Sequence, residues 1–186
     1  MHASGPDPRR QMKRAVFLDR DGVINRSITR SHTQHGSPRS VGEMVLLPRV
    51  QEAVNLLKDA GLLVIVVTNQ PEVSRGVLAL EDLESMHQYI WKDLAIDDLF
   101  VCVHDRGEGC QCRKPKPGML LEAATKWEID LQRSYLVGDR SSDIEAGLSV
   151  GCTTFLIGLP NPDIPSHFVA DHLYDGAAKI ASFFNG

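Results

Sequence analysis

Short apolar runs alternate along the chain with longer segments in which apolar residues recur every three or four positions. The runs have the length and composition of strands that are buried on both faces. They cover residues 14–18, 62–67, 99–104, 134–137 and 152–158. Helical spacing between them predicts helices over residues 48–60, 80–95, 118–128 and 143–151. A weak strand near 167–173 and a last helix over 176–184 complete the pattern.

This alternation predicts an α/β fold, a doubly wound parallel sheet in which right-handed crossovers place helices on both faces. Each cluster of polar residues directly follows one of the predicted strands. The clusters are Asp19 with Asp21, Thr68 with Asn69, the loop over 105–117, and Asp139 with Asp143. Because ligands of such sheets bind beyond the carboxyl ends of the strands, the four clusters predict one site.

The composition is that of one globular domain and limits the classes of partner. With 186 residues, 42% of them hydrophobic, the chain can bury a substantial core. Its net charge of -4 provides no basic field for nucleic acid, and its longest apolar run, GLLVIVV, is far too short to span a membrane. Residues 1–13 are polar and predict a disordered leader before a single domain over 14–186. We expect a cytoplasmic monomer.

Two aspartates end the first apolar run, although aspartate is a poor strand residue and is rarely buried without a partner. They are Asp19 and Asp21, and Asp139 comes to the same edge of the sheet, with Asp143 as a further candidate. Two carboxylates about 4 Å apart repel by roughly 4 kcal/mol at an effective dielectric near 20, so a shifted proton or a divalent cation is required. Oxygen ligands favour Mg²⁺, which also binds phosphate. A simple Asp-Gly turn and an aspartate network neutralised by arginines stay open as alternatives.

Together these residue types could transfer a phosphoryl group. One aspartate would attack phosphorus while the next exchanges a proton with the leaving oxygen. Thr68 could donate a hydrogen bond to a phosphoryl oxygen, and Lys114 could neutralise the charge that develops there. Gly22 would let the backbone fold back over the phosphate.

A second metal site is predicted by the pattern C-x-H-x5-C-x-C. Its three thiolates and one imidazole are a closed ligand set for structural Zn²⁺. The four residues are Cys102, His104, Cys110 and Cys112. Reduced, idle cysteines or a redox pair are the alternatives. Because Arg113 and Lys114 follow the last ligand directly, we expect the zinc to position this basic pair rather than to take part in catalysis.

Four segments resemble, in order, the motifs of the haloacid-dehalogenase (HAD) phosphatases, and the chain is most similar to their subclass III. The segments are DRDGVIN, VVTNQ, CRKPKPGML and VGDRSSDI. The resemblance implies a capless, Rossmann-like domain in which Asp19 is the nucleophile and Asp21 the general acid/base. It also implies that Mg²⁺ is held by the Asp19 carboxylate, the Asp21 backbone carbonyl and Asp139. The other residues expected to bind the phosphorylated substrate are Thr68, Lys114, Asn69, Gln70, Arg113 and Arg140.

The polar stretch over residues 26–39 directly follows the nucleophile and bears on the substrate. Its Arg30 and Arg39, with His32 and His35, would bind a second phosphate, since arginine pairs with phosphate oxygens in a bidentate fashion. Subclass III includes enzymes for heptose bisphosphates and for histidinol phosphate. The basic stretch favours a small phosphorylated sugar, a heptose 1,7-bisphosphate cleaved at its 7-phosphate. Histidinol phosphate or another small sugar phosphate is the alternative, and a solvated loop without substrate contacts is a third possibility.

Two functions without catalysis would use similar residues. A phospho-acceptor receiver domain has a comparable set of Asp, Thr and Lys, but it carries its aspartate on a middle strand and has no zinc loop. A zinc-stabilised scaffold that had lost catalysis would have no need of both Asp19 and Asp21. The sequence therefore favours the enzyme.

Overall fold

The computed structural model describes residues 12–30 and 33–184, of which residues 33–35 are described by their backbone alone. The predicted leader lies outside the described residues except for its last two positions. There, Lys13 already pairs with Ile129 in an isolated β-bridge. Within this part of the chain, no helix is both long enough and apolar enough to cross a membrane.

Eight strands occur in the described residues. They are β1 (Ala15–Leu18), β2 (Ile28–Arg30), β3 (Thr33–Gly36), β4 (Leu63–Asn69), β5 (Asp98–Cys102), β6 (Tyr135–Gly138), β7 (Thr153–Ile157) and β8 (Phe168–Ala170). Six of them form one sheet in the order β5-β4-β1-β6-β7-β8, and every neighbouring pair is parallel. The four residues of β1 are all buried, as its unbroken apolar sequence predicts for a strand between two others. The predicted parallel sheet is confirmed.

The helices of the described chain cover both faces of this sheet. They are α1 (Val50–Asp59), α2 (Leu80–Asp93), α3 (Gly118–Trp127), α4 (Ser141–Ser149) and α5 (Leu173–Ser182). Val16 and Leu18 of β1 pack in one hydrophobic cluster with α1, α2 and α5, whereas Ala15 and Phe17 pack in a second cluster with α3 and α4. Because successive side chains of a strand point to opposite faces, this division shows the doubly wound arrangement directly. The last helix begins three residues before its predicted start at 176.

The polar stretch between β1 and α1, predicted without regular structure, contains an antiparallel hairpin of β2 and β3. A short 3-10 helix over Val41–Glu43 follows it. Strands of three or four mostly polar residues carry little apolar periodicity, which is why the pattern of the sequence does not reveal them. The predicted phosphate contacts of His32 and His35 lie outside the described side chains.

Candidate active site

The carboxyl end of β1 places Asp19 at the middle of the sheet edge. Its backbone N–H donates to the Val137 carbonyl at 2.9 Å, which ties the residue to β6. The turn that follows contains Gly22, whose φ is +94°. A Cβ at this glycine would overlap the carboxylate of Asp139. The turn can therefore close over the site only because residue 22 is glycine.

Three carboxylates and one lysine meet at this edge, and we call them the carboxylate cluster. Asp19, Asp139 and Asp143 each offer an oxygen, and these oxygens lie within 4.8 Å of one another. The buried Nζ of Lys114 lies 2.7 Å from Asp19 Oδ1 and 2.5 Å from Asp143 Oδ1. It also donates to the Val67 carbonyl at 2.8 Å, which anchors it to β4. One ammonium group offsets only part of the charge of three carboxylates.

The uncompensated charge is visible in the pKa values of two of these acids. Burial, together with the Asp19 and Asp143 carboxylates, raises the pKa of Asp139 to about 7. Burial also raises the pKa of Asp19 to about 6, against the lowering effect of Lys114. Among the described residues, no donor hydrogen-bonds to the buried Oδ1 of Asp139. The same oxygen lies 3.8 Å from Nε of Arg140, a distance too long for a hydrogen bond. An oxygen-only set that is rich in negative charge fits Mg²⁺.

The second aspartate of the DRDG turn has a different environment, in which both oxygens accept hydrogen bonds. Arg20 donates to Asp21 through Nε and Nη2 at 2.9–3.1 Å, and Asn25 and Gln70 each donate at 2.8 Å. Burial alone would raise the pKa of Asp21, but the Arg20 guanidinium and the two amide donors lower it below its ordinary value. Asp21 is therefore held as a carboxylate at the edge of the cavity.

Three of the predicted site residues lie at the end of β4, and the structure gives them different positions relative to the cavity. Thr68 is buried, lines the cavity and accepts a hydrogen bond from Gln70 at 2.9 Å. Asn69 also lines the cavity, but its amide bonds to the backbone N–H and carbonyl of Lys114, both at 3.1 Å. Gln70 is fully buried behind the site and holds Asp21. As placed, the amide of Asn69 bonds to Lys114 and that of Gln70 to Asp21, whereas substrate contacts were predicted for both.

Above the carboxylate cluster opens a cavity of about 690 Å³. Five cationic residues besides Lys114 line it. They are Arg75, Arg106, Arg113, Lys116 and Arg140. The predicted contacts Arg113 and Arg140 are thus on the cavity wall, where Arg113 also donates to the His104 carbonyl at 3.0 Å. The wall of the cavity thus offers cations to a phosphorylated ligand, although acids line the same cavity.

Arg30 and Arg39, the predicted contacts for a second phosphate, do not line this cavity. The hairpin turns Arg30 towards Glu43, where its Nη2 lies 2.6 Å from the carboxylate and 3.3 Å from the Ser37 carbonyl. The backbone N–H of Arg39 donates to the same carboxylate at 2.8 Å, and its side chain is exposed. The stretch reaches the cavity through Gly36 and Ser37 instead. The side chain of Arg30 therefore joins the hairpin to the 3-10 helix in this structure.

The four residues of the C-x-H-x5-C-x-C pattern come together after β5, and we call them the Cys/His cluster. The Sγ of Cys102 lies 3.7 Å from that of Cys110 and 3.0 Å from that of Cys112, and His104 Nδ1 is 3.3 Å from Cys112. Zinc with bonds of about 2.3 Å to sulfur in a tetrahedral site separates its ligands by about 3.8 Å. Burial raises the pKa of the Cys102 thiol to about 12, so a cation is needed to hold it as thiolate. The donor set and its spacing fit Zn²⁺.

Asp143, a candidate from the sequence, does join the carboxylate cluster; it pairs with Lys114 and accepts the backbone N–H of Arg140 at 3.1 Å. The roles of two other residues were not found by reasoning from the sequence. Arg20 is fully buried, whereas arginine is mostly exposed in proteins. Glu72 lines the cavity, and its buried Oε2 has no hydrogen-bond partner among the described residues. A glutamate two residues after the TNQ segment was the available signal for it.

Comparisons with known proteins agree with this geometry. A HAD-hydrolase-like family model matches residues 111–175. The chain is 34% identical over 155 residues to the D-glycero-beta-D-manno-heptose-1,7-bisphosphate 7-phosphatase of Helicobacter pylori, covering 80% of this chain and 86% of that one. It is 35% identical over 181 residues to the enzyme of the same name from Pseudomonas aeruginosa, covering 90% and 95%.

A solved structure is similar over nearly the whole chain. It is the D,D-heptose 1,7-bisphosphate phosphatase of B. bronchiseptica, complexed with magnesium and phosphate. The two chains are 28% identical and superpose with a TM-score of 0.76 over 91% of this chain and 99% of that one. The two structures therefore share the fold over most of their length.

Proposed function

The chain belongs to the heptose 1,7-bisphosphate 7-phosphatases of the HAD superfamily, and from this premise we propose how its own residues perform the reaction. It is a phosphoric monoester hydrolase that removes the 7-phosphate of D-glycero-D-manno-heptose 1,7-bisphosphate. The observation that carries the residue assignment is the position of Asp19. Its carboxylate lies at the base of the cavity, paired at 2.7 Å with Lys114 and close to two further acids.

In the first half of the reaction, an oxygen of Asp19 attacks phosphorus and the bond from phosphorus to the C7 oxygen breaks. The leaving oxygen takes a proton from Asp21, the other aspartate that lines the cavity. Thr68 and Lys114 lie beside Asp19 and stabilise the phosphoryl oxygens through a hydroxyl and an ammonium group. The product is an aspartyl phosphate on Asp19.

In the second half, a water molecule attacks phosphorus, and the bond to the Asp19 oxygen breaks. Asp21 takes the proton of the water, which restores both aspartates for the next turnover. Asp19, Asp139 and the backbone carbonyl of Asp21 would hold Mg²⁺, which when bound neutralises charge on the phosphoryl oxygens. Asn69 keeps Lys114 in place throughout, since it bonds to both backbone groups of that residue.

Residues of the cavity wall would bind the second phosphate and the hydroxyl groups of a sugar bisphosphate. Arg106, Arg113 and Lys116 provide cations for a second phosphate. Glu72 presents a carboxylate oxygen that could accept hydrogen bonds from sugar hydroxyl groups. Histidinol phosphate is the second candidate substrate, because the same carboxylate could pair with its ammonium group. Cations outnumber the unpaired acids on this wall, which favours the bisphosphate.

The test is the release of inorganic phosphate from a panel of substrates, compared as kcat/KM. The panel contains heptose 1,7-bisphosphate, heptose 7-phosphate and histidinol phosphate. We expect the bisphosphate to be preferred by about tenfold or more over either monophosphate, the worth of one charged hydrogen-bonding partner. A preference for histidinol phosphate would reject the substrate assignment while leaving the reaction class intact.

The zinc, the oligomeric state and the compartment form the remaining part of the proposal. The Cys/His cluster would bind a structural Zn²⁺ that fixes the loop carrying Arg113 and Lys114. One chain supplies every group assigned above, which supports a monomer.

Four cysteines without a disulfide among the described residues suit a reducing compartment such as the cytoplasm. Sedimentation of the purified protein tests the monomer.

A further inference from the structure

Arg20 lies between the two aspartates of the DRDG turn and has no exposed surface. Its guanidinium donates three hydrogen bonds, at 3.1, 3.0 and 2.9 Å, and all three go to the carboxylate of Asp21. In the described residues, its Nη1 has no hydrogen-bond partner. A buried arginine is costly unless its charge is compensated, and among the described residues Asp21 supplies the paired charge at 2.9 Å. The two side chains therefore hold each other in place.

The carboxylate of Asp21 faces hydrogen-bond donors at both of its oxygens. Oδ1 accepts from Arg20 and from the amide of Asn25, and Oδ2 accepts from Arg20 and from the amide of Gln70. These hydrogen bonds occupy the lone pairs of both oxygens, so they fix the orientation of Asp21 as a carboxylate. A proton can bind to it only where one of the amide donors gives way.

The other groups described near Arg20 do not offer a second cation to the Asp21 carboxylate. The charged or titratable groups near the pair are Asp19 and His87 of α2. Burial, followed by the charge of Arg20, lowers the pKa of His87 to about 4, so this histidine is neutral at physiological pH. Its buried Nε2 has no partner among the described residues, and a neutral imidazole offers no rival cation to the carboxylate.

We propose that Arg20 is a positioning residue for the second half of the reaction, which fixes the Asp21 carboxylate where it accepts the proton of the attacking water. The inference rests on the proposed function, because it requires an aspartyl phosphate on Asp19. In this step the water oxygen forms a bond to phosphorus, the bond from phosphorus to Asp19 breaks, and the proton passes to Asp21. To protonate the next leaving oxygen, Asp21 turns away from at least one of its donors and takes the proton with it.

The test separates the two half-reactions by acid quench with 32P-labelled acetyl phosphate. Its acetate leaving group needs no proton, so phosphoenzyme formation does not depend on Asp21. Arg20→Lys keeps the charge but removes the bidentate fork, and Arg20→Met removes both. We expect phosphoenzyme to form at nearly the wild-type rate in both variants and to hydrolyse about tenfold or more slowly, so that it accumulates. Arg20→Lys should retain more hydrolysis than Arg20→Met.

Arg49→Lys is the matched control, because Arg49 also donates through Nε and Nη2 to a neighbouring acid, Glu52, but is exposed and lies outside the cavity. It should behave as wild type in both steps. If the Arg20 variants slow formation and hydrolysis equally and accumulate no phosphoenzyme, Arg20 is merely structural and the inference is wrong.

Two further variants keep these outcomes distinct. Asp21→Asn should accumulate phosphoenzyme, and if neither it nor any other variant does so, the covalent mechanism itself fails, independently of Arg20. Should neither Arg20 variant fold, Gln70→Leu removes another donor to the same carboxylate. A hydrolysis step in Gln70→Leu as fast as in wild type would then overturn the proposal that this donor set positions Asp21.

Discussion

The carboxylate cluster and the Cys/His cluster both bring four side chains together around a place for a metal, but they are assembled in opposite ways. The first draws on the loops after β1 and β6, on the first turn of α4 and on the loop before α3, which the parallel sheet brings to one edge. The second comes entirely from residues 102–112 at the end of β5. One cluster requires the whole fold, whereas the other requires only a single loop.

The two clusters also differ in what balances their charge. Lys114 stands among the carboxylates and keeps them in place through ion pairs with Asp19 and Asp143. In the described residues, no lysine or arginine side chain hydrogen-bonds to the thiols of the Cys/His cluster. We therefore expect the loss of Mg²⁺ to abolish activity but leave the fold intact, and the loss of Zn²⁺ to disorder the loop.

The sharpest test of the carboxylate cluster is Asp19→Asn. An amide cannot act as the nucleophile, so we expect phosphatase activity to fall by about four to six orders of magnitude. The fold should survive, because the change removes one of three crowded negative charges. Circular dichroism melting checks the fold, and Asp163→Asn on an exposed loop is the control. Activity near that of wild type would show that the mechanism is not covalent catalysis by this residue.

The matching test of the Cys/His cluster is its metal content. We expect one tightly bound zinc per chain in protein purified without chelator, measured by elemental analysis. Cys112→Ser should lose the metal, melt at a lower temperature and lose activity by about tenfold to a hundredfold, because Arg113 and Lys114 follow this ligand directly. Cys152→Ser, at a buried cysteine away from the cluster, separates the loss of a thiol from the loss of zinc. Wild-type protein without zinc would contradict the assignment.

A smaller expected effect is the pH dependence of the melting temperature, which should differ between the magnesium-free and the magnesium-bound protein. In magnesium-free buffer that leaves zinc in place, the folded protein holds protons on Asp139 and Asp19 up to about pH 7 and 6, whereas the unfolded chain loses them near the ordinary value of 3.8. This stabilisation is complete below pH 4 and is lost as the pH rises through 6 and 7. The melting temperature should therefore fall between pH 5 and 8.

Saturating Mg²⁺ should reduce this decline in melting temperature, because the cation favours the ionised carboxylates. Asp139→Asn should reduce it without magnesium, since the amide has no proton to lose. A magnesium-free melting temperature that rises over the same pH range would show that these two carboxyl groups are not held protonated in the folded protein.

The different origins of the two clusters also explain what could be predicted from the sequence. The Cys/His cluster can be predicted because its four ligands lie within eleven residues of sequence. The main strands can be predicted because burial on both faces requires unbroken apolar runs. The pairing of Lys114 with Asp143 depends on which loops the crossovers bring together, and nothing in the local pattern of either residue reveals it. The direction of Gln70, behind the cavity rather than into it, likewise depends on packing around Asp21.

The hairpin shows most clearly how a prediction from neighbouring residues in the sequence can differ from the structure. Arg30 follows the nucleophile closely in sequence, and a basic stretch there suggests a phosphate contact. Its partner Glu43 lies thirteen residues away and meets it only because β2 and β3 pair. The basic side chains that do line the cavity lie elsewhere in the chain, and one of them, Arg106, belongs to the loop of the Cys/His cluster.

The smallest predicted effect therefore separates these two arginines. Arg106→Ala should lower kcat/KM for the heptose bisphosphate by about tenfold and leave a monophosphate nearly unchanged, because we propose that Arg106 binds the second phosphate. Arg30→Ala should change kcat/KM less than about threefold for either substrate, since its partly exposed pair with Glu43 contributes about 0–1 kcal/mol. Glu43→Gln, which breaks the same pair from the other side, should match Arg30→Ala. If Arg30→Ala lowers kcat/KM for the bisphosphate only, the second phosphate binds at the hairpin. The loop of the Cys/His cluster would then not determine the choice of substrate.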